Sequence, residues 1–112
     1  MNLAQFLSSK WPPNAWIREH GINVYVRRSV RLIGNEAYPM LDIGSVNVDE
    51  TKRGKGIFTA FLKLFEKEAE KLERGVYVES IQEPRLQKYL LKNGYALVPK
   101  TSDLSPSMYK LL

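Results

Sequence analysis

From Val46 to Leu72 the chain passes through a strand, a glycine-bearing basic turn and an amphipathic helix, in that order. Phe58, Phe61, Leu62, Phe65, Ala69 and Leu72 recur at helical spacing, and Lys63, Glu66, Lys67, Glu70 and Lys71 fall outside that stripe. Such a helix must lay its apolar face on a sheet. The turn, Arg53-Gly54-Lys55-Gly56, lets backbone approach an anion with no Cβ in the way, and the first free N–H groups of the helix point at the same place. Arg53 and Lys55 add positive charge where the helix dipole is already positive. The segment reads as a phosphate cradle, and the plain alternative is a solvated surface turn.

Spacing excludes two rival glycine motifs. A Walker A loop needs G-x-x-x-x-G-K-[ST], but Lys55 is followed by Gly56, and Asp49 stands five before Gly54. The dinucleotide fingerprint needs a third glycine three residues after the second, where this chain has Thr59.

Downstream, Val76 to Ile81 reads as a short strand and Pro84 to Asn93 as a helix closed by Gly94. Tyr95 to Pro99 and Ser107 to Leu112 read as further strands. Arg53-Gly54-Lys55-Gly56-Ile57-Phe58 is similar to the R/Q-x-x-G-x-G/A signature, and Lys92-Asn93-Gly94-Tyr95 to the K-x-G-[FY] sequence, of the GNAT superfamily of acyl-CoA N-acyltransferases. The resemblance covers Ile22 to Leu112. It implies a compact α+β fold, a mixed and mostly antiparallel sheet with helices packed on it. Twenty-one residues, Met1 to Gly21, stand before Ile22, and by the resemblance the N-terminal acceptor-side region is expected to be shortened.

The resemblance implies an N-acetyltransferase that moves an acetyl group from acetyl-CoA, its co-substrate, to an amine of unidentified nature, such as a protein lysine or a modified nucleobase. The alternative is a catalytically inactive GNAT-like module that binds protein or nucleic acid. By the resemblance, backbone groups from Val46 to Val48 pair with the pantetheine arm. Arg53, Gly54, Lys55, Gly56 and the N–H groups of Ile57, Phe58 and Thr59 take the pyrophosphate. Phe58 stands where the family has Gly or Ala. For the base, Glu79 lies at a strand end beside the expected thioester site, and Asp42 lies in mid-strand on a face shared with Val46. A carboxylate among apolar strand residues suits a base acting on an amine. The plain alternative is a carboxylate paired with an arginine, Arg28 in the case of Asp42. Leu90 occupies the place of the family's acidic tyrosine, and Tyr89 is turned from it by about 100° on the helix. Ser80, Tyr89 and Tyr109 remain as acids, with bulk water as another.

At 112 residues the chain is expected to form one domain, with 1–21 a helical or irregular lead-in and 22–112 the core. The absence of cysteine excludes thiolate zinc sites and cysteine nucleophiles, and the single histidine, His20, leaves no material for a triad. No metal is expected. No apolar run approaches a bilayer span, so no membrane association and a cytoplasmic location are expected. The net charge of +5 favours polyanions, of which coenzyme A and nucleic acid are two. Arg27 and Arg31 share one strand face and Arg28 the other.

In the lead-in, Met1 to Ser9 reads as a short helix ended by Trp11-Pro12-Pro13, with Asn14 capping a turn from Ala15 to His20. Ile22 to Ile33 is a strand with Val24, Val26, Val30 and Leu32 on one face around Arg28. Met40 to Val48 is the next strand, with Met40, Asp42, Gly44, Val46 and Val48 expected on one face. Trp11 and Trp16 read either as core or as exposed anchors of a homodimer that completes the acceptor side. The sequence style is similar to small acetyltransferase-like proteins of bacteria and phages.

Overall fold

A computed structural model describes residues 2–9, 13–19, 21–48, 56–81, 83–99 and 105–112. The elements are α1 (Leu3–Ser8), β1 (Asn14–Glu19), β2 (Ile22–Ile33), β3 (Glu36–Val48), α2 (Ile57–Lys71), β4 (Gly75–Val78), α3 (Pro84–Lys92), β5 (Ala96–Leu97) and β6 (Met108–Lys110). The strands form one sheet in the order β1-β2-β3-β4-β6-β5. Only β3 and β4 run parallel, because α2 is the crossover between them; every other pair is antiparallel. The architecture is the mixed, mostly antiparallel α+β sheet that the sequence implies.

Each helix starts for a local reason. Asn2 caps α1 in a reciprocal box with Gln5, and Glu83 caps α3 ahead of Pro84 in its first turn. The segment Asn14 to Glu19 is a strand rather than a capped turn. It pairs with β2 from Asn14↔Arg27 to Glu19↔Ile22, and its period-two alternation sends Ile17 into the core and leaves Trp16 exposed.

The core lies on one side of the sheet. Ile17, Val24, Val26, Leu41, Ile43, Val76 and Val78 meet Leu3 and Phe6 of α1, Phe61, Leu62 and Phe65 of α2, and Leu90 of α3. Every buried residue of the three helices belongs to this one cluster. Arg28 also projects to this side, where its guanidinium lies 4.2 Å from the Phe6 ring centroid and donates to the Phe6 and Ser9 carbonyls at the end of α1. Val30 and Leu32 share the core-side face of β2, as the alternation requires, but are 68% and 73% exposed. The β2–β3 hairpin runs past the helices, which leaves its far end uncovered.

The opposite face carries Trp16 of β1, Tyr25, Arg27, Ser29 and Arg31 of β2, and Asp42 and Tyr77 on β3 and β4. No described helix contributes a buried residue to it.

Candidate active site

The parallel pair β3–β4 opens part-way along. Pairing runs from Met40↔Gly75 to Ile43↔Val78 and ends with the Glu79 N–H donating to the Ile43 carbonyl at 2.9 Å. Beyond that bond the two chains part. Ser80 adopts a positive φ of 50°, its N–H donates to Ser107 Oγ at 3.0 Å, and the Ile81 N–H donates to the Pro106 carbonyl at 2.8 Å. These bonds draw the segment after β4 away from β3, which continues to Val48.

On the other bank Gly44 is the extra residue of a β-bulge, set between the pairs Tyr25↔Ser45 and Val26↔Ile43. Between the banks lies a cavity of about 380 Å³, lined by Gly44, Ser45 and Val46 on one side and by Glu79, Ser80 and Leu86 on the other. From Gly44 onward β3 has no described partner strand on this side, so its backbone groups there are available to a ligand.

The bulge corrects one expectation about faces. Val46 stands opposite Val24, on the core side with Ile43, whereas Asp42 stands opposite Arg27 on the open side. Asp42 and Val46 therefore do not share a face, because one inserted residue shifts the period-two alternation. A side chain at Gly44 would crowd the open face, since a Cβ there would lie 3.2 Å from both Arg27 Nη2 and Tyr25 Cδ2.

Around the mouth of this gap, Asp42, Glu79, Arg27 and Arg31 form one ionic cluster. Asp42 is fully buried; it accepts from Ser29 Oγ at 2.6 Å and from Arg31 Nε at 3.1 Å, and Arg27 Nε lies 3.4 Å from its Oδ2. Arg31 Nη2 also bonds Asp42 and reaches Glu79 Oε2 at 3.1 Å, and Arg27 Nη2 bonds the same Oε2. Glu79 Oε1 accepts no hydrogen bond among the described residues. The Arg31 guanidinium lies 4.4 Å from the Tyr77 centroid and that of Arg27 5.6 Å from the Tyr25 centroid, so aromatic faces support both cations. The surroundings of Asp42 are thus ionic rather than apolar, and its partners are Arg27 and Arg31 rather than Arg28. Asp42 has its oxygens occupied; Glu79, 34% exposed, has one oxygen open.

Of the turn expected to cradle phosphate, the structure describes Gly56 onward; Arg53, Gly54 and Lys55 lie outside the described residues. Gly56 takes a φ of 73° as the residue before α2. Gly56 brings no side-chain cap to α2 and no acidic residue stands in its first turn, so among the described residues the N–H groups of Ile57, Phe58 and Thr59 lack helical acceptors at the positive end of the helix. Ile57 and Phe58 pack against the core, which turns the bulky residue at the family's small position into part of the hydrophobic anchor. Val48 pairs by its backbone with Ile22. Leu90, at the place of the family's tyrosine, is fully buried; of the candidate acids, Tyr89 packs on the core, Ser80 is exposed beside the gap, and Tyr109 stands opposite Tyr77. His20 lies outside the described residues.

Sequence reasoning missed the two arginines as partners of both carboxylates. Their shared face was legible from the alternation, but the register that brings Asp42 opposite Arg27 and Tyr77 was not.

The order of elements, the opened parallel pair and the uncapped helix after β3 define a GNAT-type acyltransferase fold. The chain is similar to the toxin AtaT, solved with acetyl-CoA and the C-terminus of the antitoxin AtaR, at a TM-score of 0.56 and 12% identity over 79% of this chain and 56% of that one. It is similar to nourseothricin acetyltransferase at 0.55 and 19% identity, over 80% of this chain and 56% of that one. A protein of Klebsiella pneumoniae assigned as an acyl-CoA N-acyltransferase matches at 0.54 and 20% identity, over 93% and 78%. The chain thus spans little more than half the length of the toxin structure. No protein-family model and no curated protein matches the sequence.

Proposed function

We propose that this chain is an acyl-CoA-dependent N-acyltransferase, with acetyl-CoA as co-substrate. The observation that carries the reading is the gap between β3 and β4, which has the free strand edge of Gly44 to Val48 on one bank and Glu79 on the other. The likeness to acetyltransferase structures, one of them with acetyl-CoA bound, supports it.

The residues present fit the co-substrate. The open edge of β3 offers backbone donors and acceptors to an amide-bearing arm, and the start of α2 offers free N–H groups to phosphates. Val46 and Val48 would hold the pantetheine through their backbone. Arg53, Gly54, Lys55, Gly56 and the N–H groups of Ile57, Phe58 and Thr59 would hold the pyrophosphate. When bound, acetyl-CoA supplies an activated acyl thioester. The chain's own work is to bring an amine to it and to take a proton from that amine.

Glu79 carries that proton transfer in this reading. Its Oε2 is held by two guanidiniums, its Oε1 accepts no hydrogen bond among the described residues, and the residue lines the gap. Asp42, with no free oxygen and no exposure, acts by holding Arg27 and Arg31 in place. Ser80, at the lip of the gap, and Tyr109, on the open face, remain as proton donors to the departing thiolate, and water also suffices, because a thiol of pKa about 8.5 leaves without assistance.

Calorimetry with acetyl-CoA tests the reading, with Gly54→Glu and Arg53→Ala beside the wild type. Micromolar binding that disappears in Gly54→Glu is the expected result. A folded wild type that binds no acetyl-CoA overturns it.

A further inference from the structure

The open face of the sheet leads to Glu79. Trp16 is 53% exposed and its ring centroid lies 5.2 Å from that of Tyr25. Tyr25 carries the Arg27 guanidinium, and Arg27 in turn bonds Glu79. A path therefore runs from an aromatic pair at the edge of the sheet to Glu79, whose Oε1 accepts no hydrogen bond among the described residues. Nothing described roofs this path, so a large partner can lie flat on it.

The charges on this face say what kind of partner it fits. Its described cations, Arg18, Arg27 and Arg31, are matched by the carboxylates of Glu36, Asp42 and Glu79. Among the described residues the excess of positive charge therefore lies off this face, and a polyanion gains little from these groups. An alkylamine gains more: its methylenes cover exposed aromatic surface, and its nitrogen meets a carboxylate oxygen with no other partner. The two guanidiniums beside that oxygen disfavour a protonated acceptor, which favours the free amine that attacks a thioester.

Resting on the acyltransferase reading, we propose that the acceptor is the side-chain amine of a lysine in a protein. It is delivered across the open face with the flanking peptide on Trp16, its alkyl stem passing Tyr25 and its nitrogen at Glu79 Oε1. The acyl carbon gains a bond to the lysine nitrogen and loses its bond to sulfur; Glu79 accepts the amine proton, and the thiolate of coenzyme A leaves and is protonated.

The test follows release of free thiol from acetyl-CoA. The chain contains no cysteine, so all thiol signal comes from the co-substrate. The acceptors are Nα-acetylated, amidated peptides with a central lysine, the same peptides with norleucine in its place, spermidine, and a single-stranded RNA. Acetyl-CoA affinity is measured by calorimetry on each variant. Expected are release with the lysine peptides and none with norleucine. Trp16→Ala, at an exposed position, should lower kcat/KM on the lysine peptides at least tenfold, chiefly through KM, with acetyl-CoA affinity unchanged. Acetyl-CoA binding with release only on spermidine or RNA, or on no acceptor, overturns the lysine proposal and leaves the co-substrate site standing. So does a Trp16→Ala variant with unchanged kinetics. Loss of the parent reading shows differently, as absence of acetyl-CoA binding by the wild type.

Discussion

Glu79 is joined to the buried Asp42 through arginines that the two carboxylates share. Arg31 contacts both, and Arg27 repeats the bridge from the same strand face, with Ser29 between the two arginines. Removing one member of a buried ion pair strands its partners without compensation, at a cost of about 3–5 kcal/mol. Asp42→Ala should lose stability on that scale in urea denaturation. A loss below about 1 kcal/mol, the range of exposed pairs, would show that the cluster is solvated.

Glu79→Gln keeps the shape of the side chain and one acceptor oxygen for the arginines but removes the base. On an accepted amine kcat should fall by about 10²–10⁴, the usual contribution of general-base catalysis. Acetyl-CoA affinity should not move. An unchanged kcat would remove Glu79 from the chemistry.

Gly44 is the position where sheet geometry and site geometry meet. A valine there would push against Arg27 Nη2 and Tyr25 Cδ2, each 3.2 Å from the new Cβ. Gly44→Val should cost about 1–3 kcal/mol of stability by overpacking. It should also weaken acetyl-CoA binding in calorimetry, because the bulge sets the free edge of β3.

Arg28 ties α1 to the sheet by donating to two carbonyls near the helix end. A six-residue helix has no stability of its own. In Arg28→Met, amide hydrogen exchange across Leu3–Ser8 should accelerate by more than tenfold while β2 and β3 stay protected. Equal acceleration throughout would mean that Arg28 supports the whole domain.

Tyr95 gives a pH test. Burial, then its hydrogen bond to Glu66, pushes its hydroxyl pKa well up from the ordinary value. The folded state therefore holds the Tyr95 proton at pH values where the unfolded chain has released it, and the stabilisation is full only below the unfolded value. Stability should decline as pH rises above about 10. Tyr95→Phe should flatten that decline in thermal unfolding between pH 9 and 11, and an identical alkaline slope would refute the assignment.

The sequence carried the element order well, because α2 and the strands around it have strong period signals. Its apolar stripe placed Phe61, Leu62, Phe65 and Ala69 in the core. Leu72, assigned to the same stripe, is 41% exposed, since it is already the cap residue beyond the last helical turn. β1 was read as a turn, because a six-residue edge strand after Pro13 offers little alternation to detect and gains its definition from pairing with β2. Glu79 and Asp42 stood out in the sequence as carboxylates at strand positions. Their environment did not, because it depends on a one-residue bulge and on cross-strand register, neither of which leaves a mark in local sequence.

The placement of the three described helices on one side of the sheet separates two kinds of mutational pressure. Substitutions on the core side are felt in folding free energy, whereas exposed positions such as Trp16 and Arg18 on the bare side can change at little thermodynamic cost. Such a scaffold can drift in what it recognises while keeping the same hydrophobic interior, so close homologues of this chain are expected to vary most on the bare face and least beneath the helices.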